Sequence, residues 1–290
     1  MGQCILPSSK SPSETIAMGS PSLRTLLVAA ISGVAHLGIV EFLFRQLDHV
    51  PNSLWPLASV TSAAAAFAFG FLVALLSAHT RLLSPIVGLP ALLTWATYRD
   101  IAAPAPEWSE LGGHLVVDGP VYLTSYVGTW YVWLATFIVL AAVEYGLRQH
   151  YRIGNGRLRN LPPVPLSRRA IVLVAVTFGG TFGVAVGAWM ARIDVNPPEI
   201  VPVLVVTTAL AAAVPVGAAV ARGLIAPIVC FFALVVPVLL NQAFVGGEGG
   251  PVFLLLLGPI AVGFAIVGLL ESALRSRLLG QFDDVSETDR

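Results

Sequence analysis

Charge is scarce in this chain of 290 residues, of which 11% are charged and 56% are hydrophobic. The mean hydropathy is +0.83. Water-soluble domains carry more charge and less apolar content, and disordered chains carry still more charge, so both classes are excluded. The sixteen basic and sixteen acidic residues balance each other. We therefore expect no nucleic-acid partner, because such partners select a strongly basic surface.

Cysteine and lysine are also rare. The two cysteines, Cys4 and Cys230, are too few for a disulfide framework or a multi-cysteine zinc site. The single lysine, Lys10, stands outside any P-loop pattern, and the zinc-protease, nucleophile-elbow and dinucleotide-binding motifs are missing too. We expect no metal and no cofactor, and the missing motifs favour a protein that is not an enzyme.

Long apolar segments are abundant. Crossing a ~30 Å hydrocarbon core takes about 20 mostly apolar residues, because a helix satisfies its backbone hydrogen bonds internally. Eight segments come near this length: 25–44, 57–77, 82–98, 127–147, 170–191, 200–221, 224–244 and 251–270. They predict an all-α, multi-pass transmembrane bundle of about eight spans. The third segment is the weakest, because it has 17 residues and contains Pro85 and Pro90, so seven spans with a re-entrant or kinked third element are the alternative.

Arginine placement predicts the orientation, because basic residues accumulate in cytoplasmic loops. With eight spans and the N-terminus inside, only Arg45, Arg99 and Arg192 lie outside, and the other thirteen basic residues lie inside. We therefore expect a cell-membrane protein with both termini in the cytoplasm. Tryptophan favours the membrane interface. In this topology all six tryptophans lie toward the outer side: Trp55, Trp95, Trp108, Trp130, Trp133 and Trp189. Trp133 lies deepest, and packing between helices is the alternative for it.

The two halves of the chain repeat the same order of landmarks. Val60-Thr61-Ser62-Ala63 corresponds to Val206-Thr207-Thr208-Ala209, and Leu83-Ser84-Pro85 corresponds to Ile225-Ala226-Pro227. The fourth and eighth spans both end in a glutamate with an arginine four residues later. This pattern predicts a tandem 4+4 repeat in which both copies have the same orientation, related by a pseudo-two-fold axis along the membrane normal.

Composition divides the chain into five segments. They are a flexible cytoplasmic N-terminus (1–22), a first four-helix membrane half (23–148), a basic cytoplasmic connector (149–168), a second half (169–277) and an acidic cytoplasmic tail (278–290). We expect no cleaved signal peptide, and Met18 is an alternative start of translation. Arginine in place of lysine, with an acidic exterior, suggests a prokaryotic source, and a halophilic archaeon is one such source.

Charges at span ends are the first candidates for a functional site, because burying a charge in a membrane is costly. A spacing of i to i+4 with glutamate leading is the favourable order for an ion pair on one helix face. Three such pairs occur: Glu41/Arg45 outside, and Glu144/Arg148 and Glu271/Arg275 inside. The two inner pairs are candidates for the inner mouth of a solute path, and charge-neutralised span boundaries are the alternative.

His36 lies in the middle of the first span, five residues before Glu41. With Glu41 and Arg45 it forms a candidate intramembrane polar site, which could relay protons. A packing histidine held by hydrogen bonds is the alternative, since no second metal ligand stands one helical turn away.

Glycines and prolines mark further positions. Gly179, Gly183 and Gly187 recur every four residues in the fifth span and predict close helix packing. The third and seventh spans, which correspond in the repeat, contain two prolines each. Interrupted helices at matched positions are typical of a transport site, although prolines also kink many membrane helices.

Three functions are compatible with these features. A permease-like or channel-like bundle for a small solute is favoured. The alternatives are a non-catalytic membrane subunit or scaffold, whose outer segment 99–126 or basic connector contacts a protein partner or a second copy, and an intramembrane enzyme using His36 and Glu41. The lipid bilayer is the expected surrounding, and the six arginines within 148–169 are suited to anionic lipid headgroups.

Overall fold

The computed structural model describes residues 20–47, 60–104, 106–111, 114–119, 121–162, 165–192, 198–244 and 250–288. Within these residues the chain is mainly helical, with one β-hairpin and one short 3-10 turn at Asn155–Arg157. Met18 and Cys4 lie outside the described residues, as does most of the predicted N-terminal segment.

The first half contains five helices and the hairpin. In chain order the elements are α1 (Leu23–Leu47), α2 (Val60–Thr80), α3 (Ser84–Ala102), β1 (Glu107–Leu111), β2 (His114–Asp118), α4 (Tyr122–Gly128) and α5 (Trp130–His150). Helix α1 packs along α2, and α3 packs against α2, α4 and α5.

The second half contains five helices. They are α6 (Arg168–Arg192), α7 (Ile200–Arg222), α8 (Ala226–Phe244), α9 (Gly250–Leu255) and α10 (Leu257–Thr288). Helix α6 packs along α7 as α1 does along α2, and α10 packs against α7, α8 and α9. Pro259 stands in the first turn of α10. Because proline clashes with the carbonyl four residues earlier, it explains the break between α9 and α10.

Seven helices in the described residues are long and apolar enough to cross a membrane: α1, α2, α5, α6, α7, α8 and the segment Val252–Leu278 that joins α9 to α10. These coincide with seven of the eight predicted segments, and the predicted multi-pass helical class is confirmed. The remaining predicted segment, the third, corresponds to α3, which is a continuous helix of 19 residues. It is less apolar than the other seven, because Arg99 and Asp100 lie in its last turn.

The hairpin is the part of the fold that an all-α prediction leaves out. Strands β1 and β2 pair antiparallel, from Glu107 opposite Asp118 to Leu111 opposite His114. It lies within the outer segment 99–126, which we expected to form a surface cap or interfacial element. Gly112-Gly113 stands between the strands, and this dipeptide is a hairpin-turn signal in the sequence.

The two halves meet through α4 and α5. Helix α5 packs against α6 and α7 of the second half, and α4 packs against α8. Helix α10 packs mainly within the second half, against α7, α8 and α9. As a result α5 is the most buried of the spanning helices. The first half therefore contributes α4 and α5 to the interface between the halves, whereas the second half contributes α6, α7 and α8.

Two tryptophans of the predicted interfacial belt are core residues. Trp133 is 1% exposed and Trp189 is 6% exposed. The Trp133 indole N–H donates to the Thr129 hydroxyl at 2.8 Å, which satisfies its polar group inside the protein. The burial of Trp133 agrees with packing between helices, which was the alternative to the belt for this residue, and Trp189 is buried as well.

Candidate functional site

The turn between α2 and α3 is held by a glutamate from the end of α5. The backbone N–H groups of Leu83 and Ser84 donate to the two carboxylate oxygens of Glu144, at 3.0 and 2.7 Å. N–H groups at the start of a helix lack partners within that helix. Arg148, one turn further along α5, lies 2.7 Å from the same carboxylate. Glu144 therefore fastens the start of α3 to the end of α5.

The turn between α7 and α8 has the same arrangement. The N–H groups of Ile225 and Ala226 donate to the carboxylate oxygens of Glu271, at 3.1 and 2.8 Å. Arg275 pairs with Glu271 at the i+4 position. In each half, a carboxylate at the end of the last long helix caps the start of the third helix.

The backbone of the two turns also matches. Arg81 and Gly223 both have left-handed backbone, with φ of 62° and 60°. The N–H of Arg81 donates to the carbonyl of Ser77 at 2.7 Å, and the N–H of Gly223 donates to that of Ala219 at 2.9 Å. Matching residues of the turns are therefore 142 positions apart.

The connector is tied to the second turn. Arg275 donates to the Tyr151 hydroxyl at 2.7 Å, and that hydroxyl donates to the Gly223 carbonyl at 3.1 Å. The structure thus brings each predicted inner pair together, Glu144 with Arg148 and Glu271 with Arg275. In both pairs the carboxylate is occupied by backbone N–H groups as well as by arginine.

His36 forms hydrogen bonds through both ring nitrogens. Its Nδ1 lies 2.7 Å from the Ala66 carbonyl oxygen, and its Nε2 lies 2.7 Å from the Tyr126 hydroxyl. A carbonyl only accepts, so Nδ1 carries the proton and the neutral ring accepts from Tyr126 at Nε2. The ring is buried, and a Cβ at Gly70 would lie 2.5 Å from the His36 Cβ. His36 therefore joins α1 to α2 and α4 at a point of close approach.

Glu41 and Arg45 lie elsewhere. Their side chains form an ion pair along α1 and are 36% and 62% exposed. The partners of His36 belong to α2 and α4, so the structure does not bring His36 and Glu41 into one site. Within the described residues, no group of three or more His, Cys, Asp or Glu side chains is placed to hold a metal ion.

The three glycines of α6 lie against α7. A Cβ at Gly179 would stand 2.5 Å from the Ala209 carbonyl oxygen, and one at Gly183 would overlap the Val205 carbonyl oxygen. One at Gly187 would overlap the Val205 side chain. Only a hydrogen side chain allows this approach of the two backbones.

A crevice of about 240 Å³ separates α3 from α8. Two positions of α3, Trp95 and Arg99, face three of α8, Pro237, Leu240 and Asn241. Trp95 and Pro237 are 142 positions apart, as are Arg99 and Asn241, which is the spacing between the two turns. The two prolines in each of the third and seventh spans pointed to these helices, but nothing in the sequence distinguishes Arg99 from the other outer arginines.

Arg99 is held in place by aromatic side chains. Its guanidinium donates to the Tyr122 hydroxyl at 2.7 Å. The Cζ atom lies 5.1 Å from the centre of the Tyr122 ring and 5.9 Å from that of Trp95, within cation–π range. Among the described residues Arg99 takes part in none of the three salt bridges.

An aromatic cluster beside the crevice joins the two halves. Phe244, at the end of α8, lies 4.9 Å from Trp95, 5.9 Å from Tyr122 and 5.4 Å from Trp133, measured between ring centres. Aromatic pairs at these distances add to the stabilisation from burial. This contact was not predicted, because apolar helices offer many equivalent pairings.

Comparison with models of protein families, with curated proteins and with solved structures finds no match for this chain. The residues and their geometry therefore carry the functional argument.

Proposed function

We propose that the protein is a permease-like or channel-like membrane bundle that passes a small solute along the crevice between α3 and α8. The crevice itself carries the proposal, since it lies between the halves and is lined by one proline-containing helix of each. Pro90 in α3 and Pro237 in α8 each leave one carbonyl of a continuous helix without its N–H partner, and proline-containing segments in corresponding spans of two halves point to a solute site at a repeat interface.

The matching turns support a tandem 4+4 duplication with both copies in one orientation. The fourth element is divided in both halves, at Thr129 between α4 and α5 and at Leu256 between α9 and α10. These breaks are 127 positions apart, as are Glu144 and Glu271. The spacing of 142 relates two turns with left-handed backbone, and the spacing of 127 relates two helix breaks. Together they favour duplication over a chance resemblance of apolar helices.

The contacts of α3 support eight crossings with both termini inside. The start of α3 is bonded to Glu144 at the end of α5. At its other end, Asp100 accepts the N–H groups of Tyr122 and Leu123 at the start of α4, each at 2.8 Å. Helix α3 therefore extends over the combined height of α4 and α5, which is the height of a span.

Thiol labelling along α8 tests the proposed path. In a variant lacking Cys4 and Cys230, single cysteines at Leu240, Val236 and Phe232 are exposed to a small hydrophilic thiol reagent. Leu240 lines the crevice, and Val236 and Phe232 follow it at intervals of four residues on the same face of α8, so we expect labelling at all three if the path continues along this face. We expect no labelling at Leu234, which is 48% exposed on α8 and faces lipid in this arrangement. Labelled loop cysteines with all three α8 positions unlabelled would overturn the path.

The outer hairpin favours a second candidate function, a non-catalytic membrane subunit or scaffold. The hairpin belongs to the first half, where it follows α3, and the matching stretch after α8 is only 245–249. Both β1 and β2 have an edge free of pairing within the two-stranded sheet. Such edges accept a strand from a partner. Co-purification of a stoichiometric partner that is lost when the hairpin is deleted would favour this function.

The connector supports binding of anionic lipid on the inner side. Its arginines at positions 152, 157, 159 and 168 are exposed, as is the adjoining Arg169. Each basic residue near an anionic membrane surface adds about 1 kcal/mol of attraction.

A further inference from the structure

The crevice between α3 and α8 opens on the side of the bundle. Tyr98, next to Arg99 on α3, is 66% exposed, and Leu234, one turn before Pro237 on α8, is 48% exposed. Leu240 and Pro237 give the crevice an apolar floor. In the proposed topology, Arg99 is near the outer end of α3, at the level of lipid headgroups. A molecule in the outer leaflet therefore reaches the crevice without passing through water.

The charge of the crevice selects an anion. Arg99 uses one donor on Tyr122, and Tyr122 is itself 2% exposed and so fixed in position. A guanidinium has five N–H donors, which leaves a preorganised fork for a phosphate or carboxylate. Asn241 faces Arg99 across the crevice and adds an amide that can donate as well.

We propose that the crevice binds an anionic amphiphile, with a phosphodiester headgroup on Arg99 and Asn241 and an acyl chain along Leu240 and Pro237. This proposal adds to the proposed function the class of solute and its lateral entry from the outer leaflet. The amphiphile's role as a transport substrate rests on that proposed function. Binding itself does not depend on transport.

Quenching of Trp95 fluorescence tests the binding. The full chain is reconstituted in vesicles containing either brominated phosphatidylglycerol, which is anionic, or brominated phosphatidylcholine, which is zwitterionic. The Trp95 signal is the difference between the protein and Trp95→Phe. We expect about tenfold tighter apparent binding of the anionic lipid, and loss of this preference in Arg99→Gln. Arg99→Lys keeps the charge and should retain part of the preference.

Arg192→Gln is the matched control. Arg192 is also an arginine at the outer end of its helix beside an aromatic ring, 5.9 Å from the centre of Tyr131, but it lies outside the crevice. Equal quenching by the two lipids, or equal loss in Arg99→Gln and Arg192→Gln, would overturn the proposal. Displacement by millimolar inorganic phosphate would also overturn it, because a free anion would then be the ligand.

The two proposals fail in different measurements. Anionic preference at Trp95 with no thiol labelling along α8 would retain the amphiphile site and remove the path. Labelling along α8 with no anionic preference would retain the path and remove the amphiphile.

Discussion

The carboxylates of Glu144 and Glu271 each make three interactions. Each accepts hydrogen bonds from two backbone N–H groups and forms an ion pair with an arginine on its own helix. The sequence predicts the ion pair, since i to i+4 spacing is local. It does not predict the capping of a helix 45 or more residues away, which depends on how α3 and α5, or α8 and α10, pack. The sequence therefore indicates that a charged residue at a span boundary has a structural role, but it does not indicate which other helix that residue contacts.

Replacement of Glu271 by glutamine measures this fastening. The amide keeps one acceptor, so one N–H of the α8 start loses its partner and the charge facing Arg275 is removed. We expect the free energy of unfolding to fall by about 1–3 kcal/mol, because a half-buried hydrogen bond to a charged group is lost. Unfolding in mixed micelles of denaturing and mild detergent provides the measurement.

The control is Glu41→Gln. The Glu41/Arg45 pair has the same sequence spacing but is exposed, and exposed pairs contribute about 0–1 kcal/mol. A loss for Glu271→Gln no larger than that for Glu41→Gln would show that the capping contacts do not stabilise the protein.

At the scale of elements, the contact between α6 and α7 depends on glycine. Gly183→Ala places a methyl group on the carbonyl of Val205, which belongs to the backbone and moves only with the helix. We expect a loss of about 1–3 kcal/mol in the free energy of unfolding, because the helices must separate. The same micelle unfolding measurement applies.

Gly180→Ala is the comparison variant on the same helix. A Cβ at Gly180 meets nothing within 4 Å, so we expect no loss, and the higher helix propensity of alanine acts in the opposite direction. Equal losses of stability in the two variants would show that the close approach at Gly183 does not cause the loss.

Helix positions were predictable to within a few residues except at the C-terminal end, where α10 continues to Thr288 rather than stopping near residue 270. Apolar runs decide where a membrane helix lies, because unpaired backbone is costly in lipid. The division of the fourth element was not predicted, since Gly128-Thr129 and Leu256 interrupt runs that remain apolar throughout. The hairpin was not predicted for a different reason, namely that strands of five residues are too short to give a clear alternation of apolar and polar residues.

For the whole molecule, the number of crossings decides the orientation of everything after α3. We expect cysteines introduced at Ala105 and Gly247 in a cysteine-free variant to react with a membrane-impermeant thiol reagent applied outside, and one at Asn155 to be protected. The reason is that, in the proposed eight-span topology with the N-terminus inside, the crossing of α3 places 105 and 247 outside and 155 inside.

Permeabilised cells, in which all three sites should react, provide the control for this labelling. The reverse pattern, with Asn155→Cys reactive outside and the other two protected, would mean seven crossings and would contradict the eight-span topology.

The contact through Phe244 that joins the two halves could not be predicted from the hydropathy of the sequence. It depends on how the shapes of the packed side chains fit together.

The unequal interface between the halves has a consequence for biosynthesis. Every contact that closes the first half, including the bond from Glu144 back to α3, is available once residue 150 has left the ribosome. The face of α5 that packs on α6 and α7 is then exposed until some seventy further residues have been made. During that interval the nascent first half presents an adhesive apolar surface inside the bilayer, and the insertion machinery must shield it from other newly made chains.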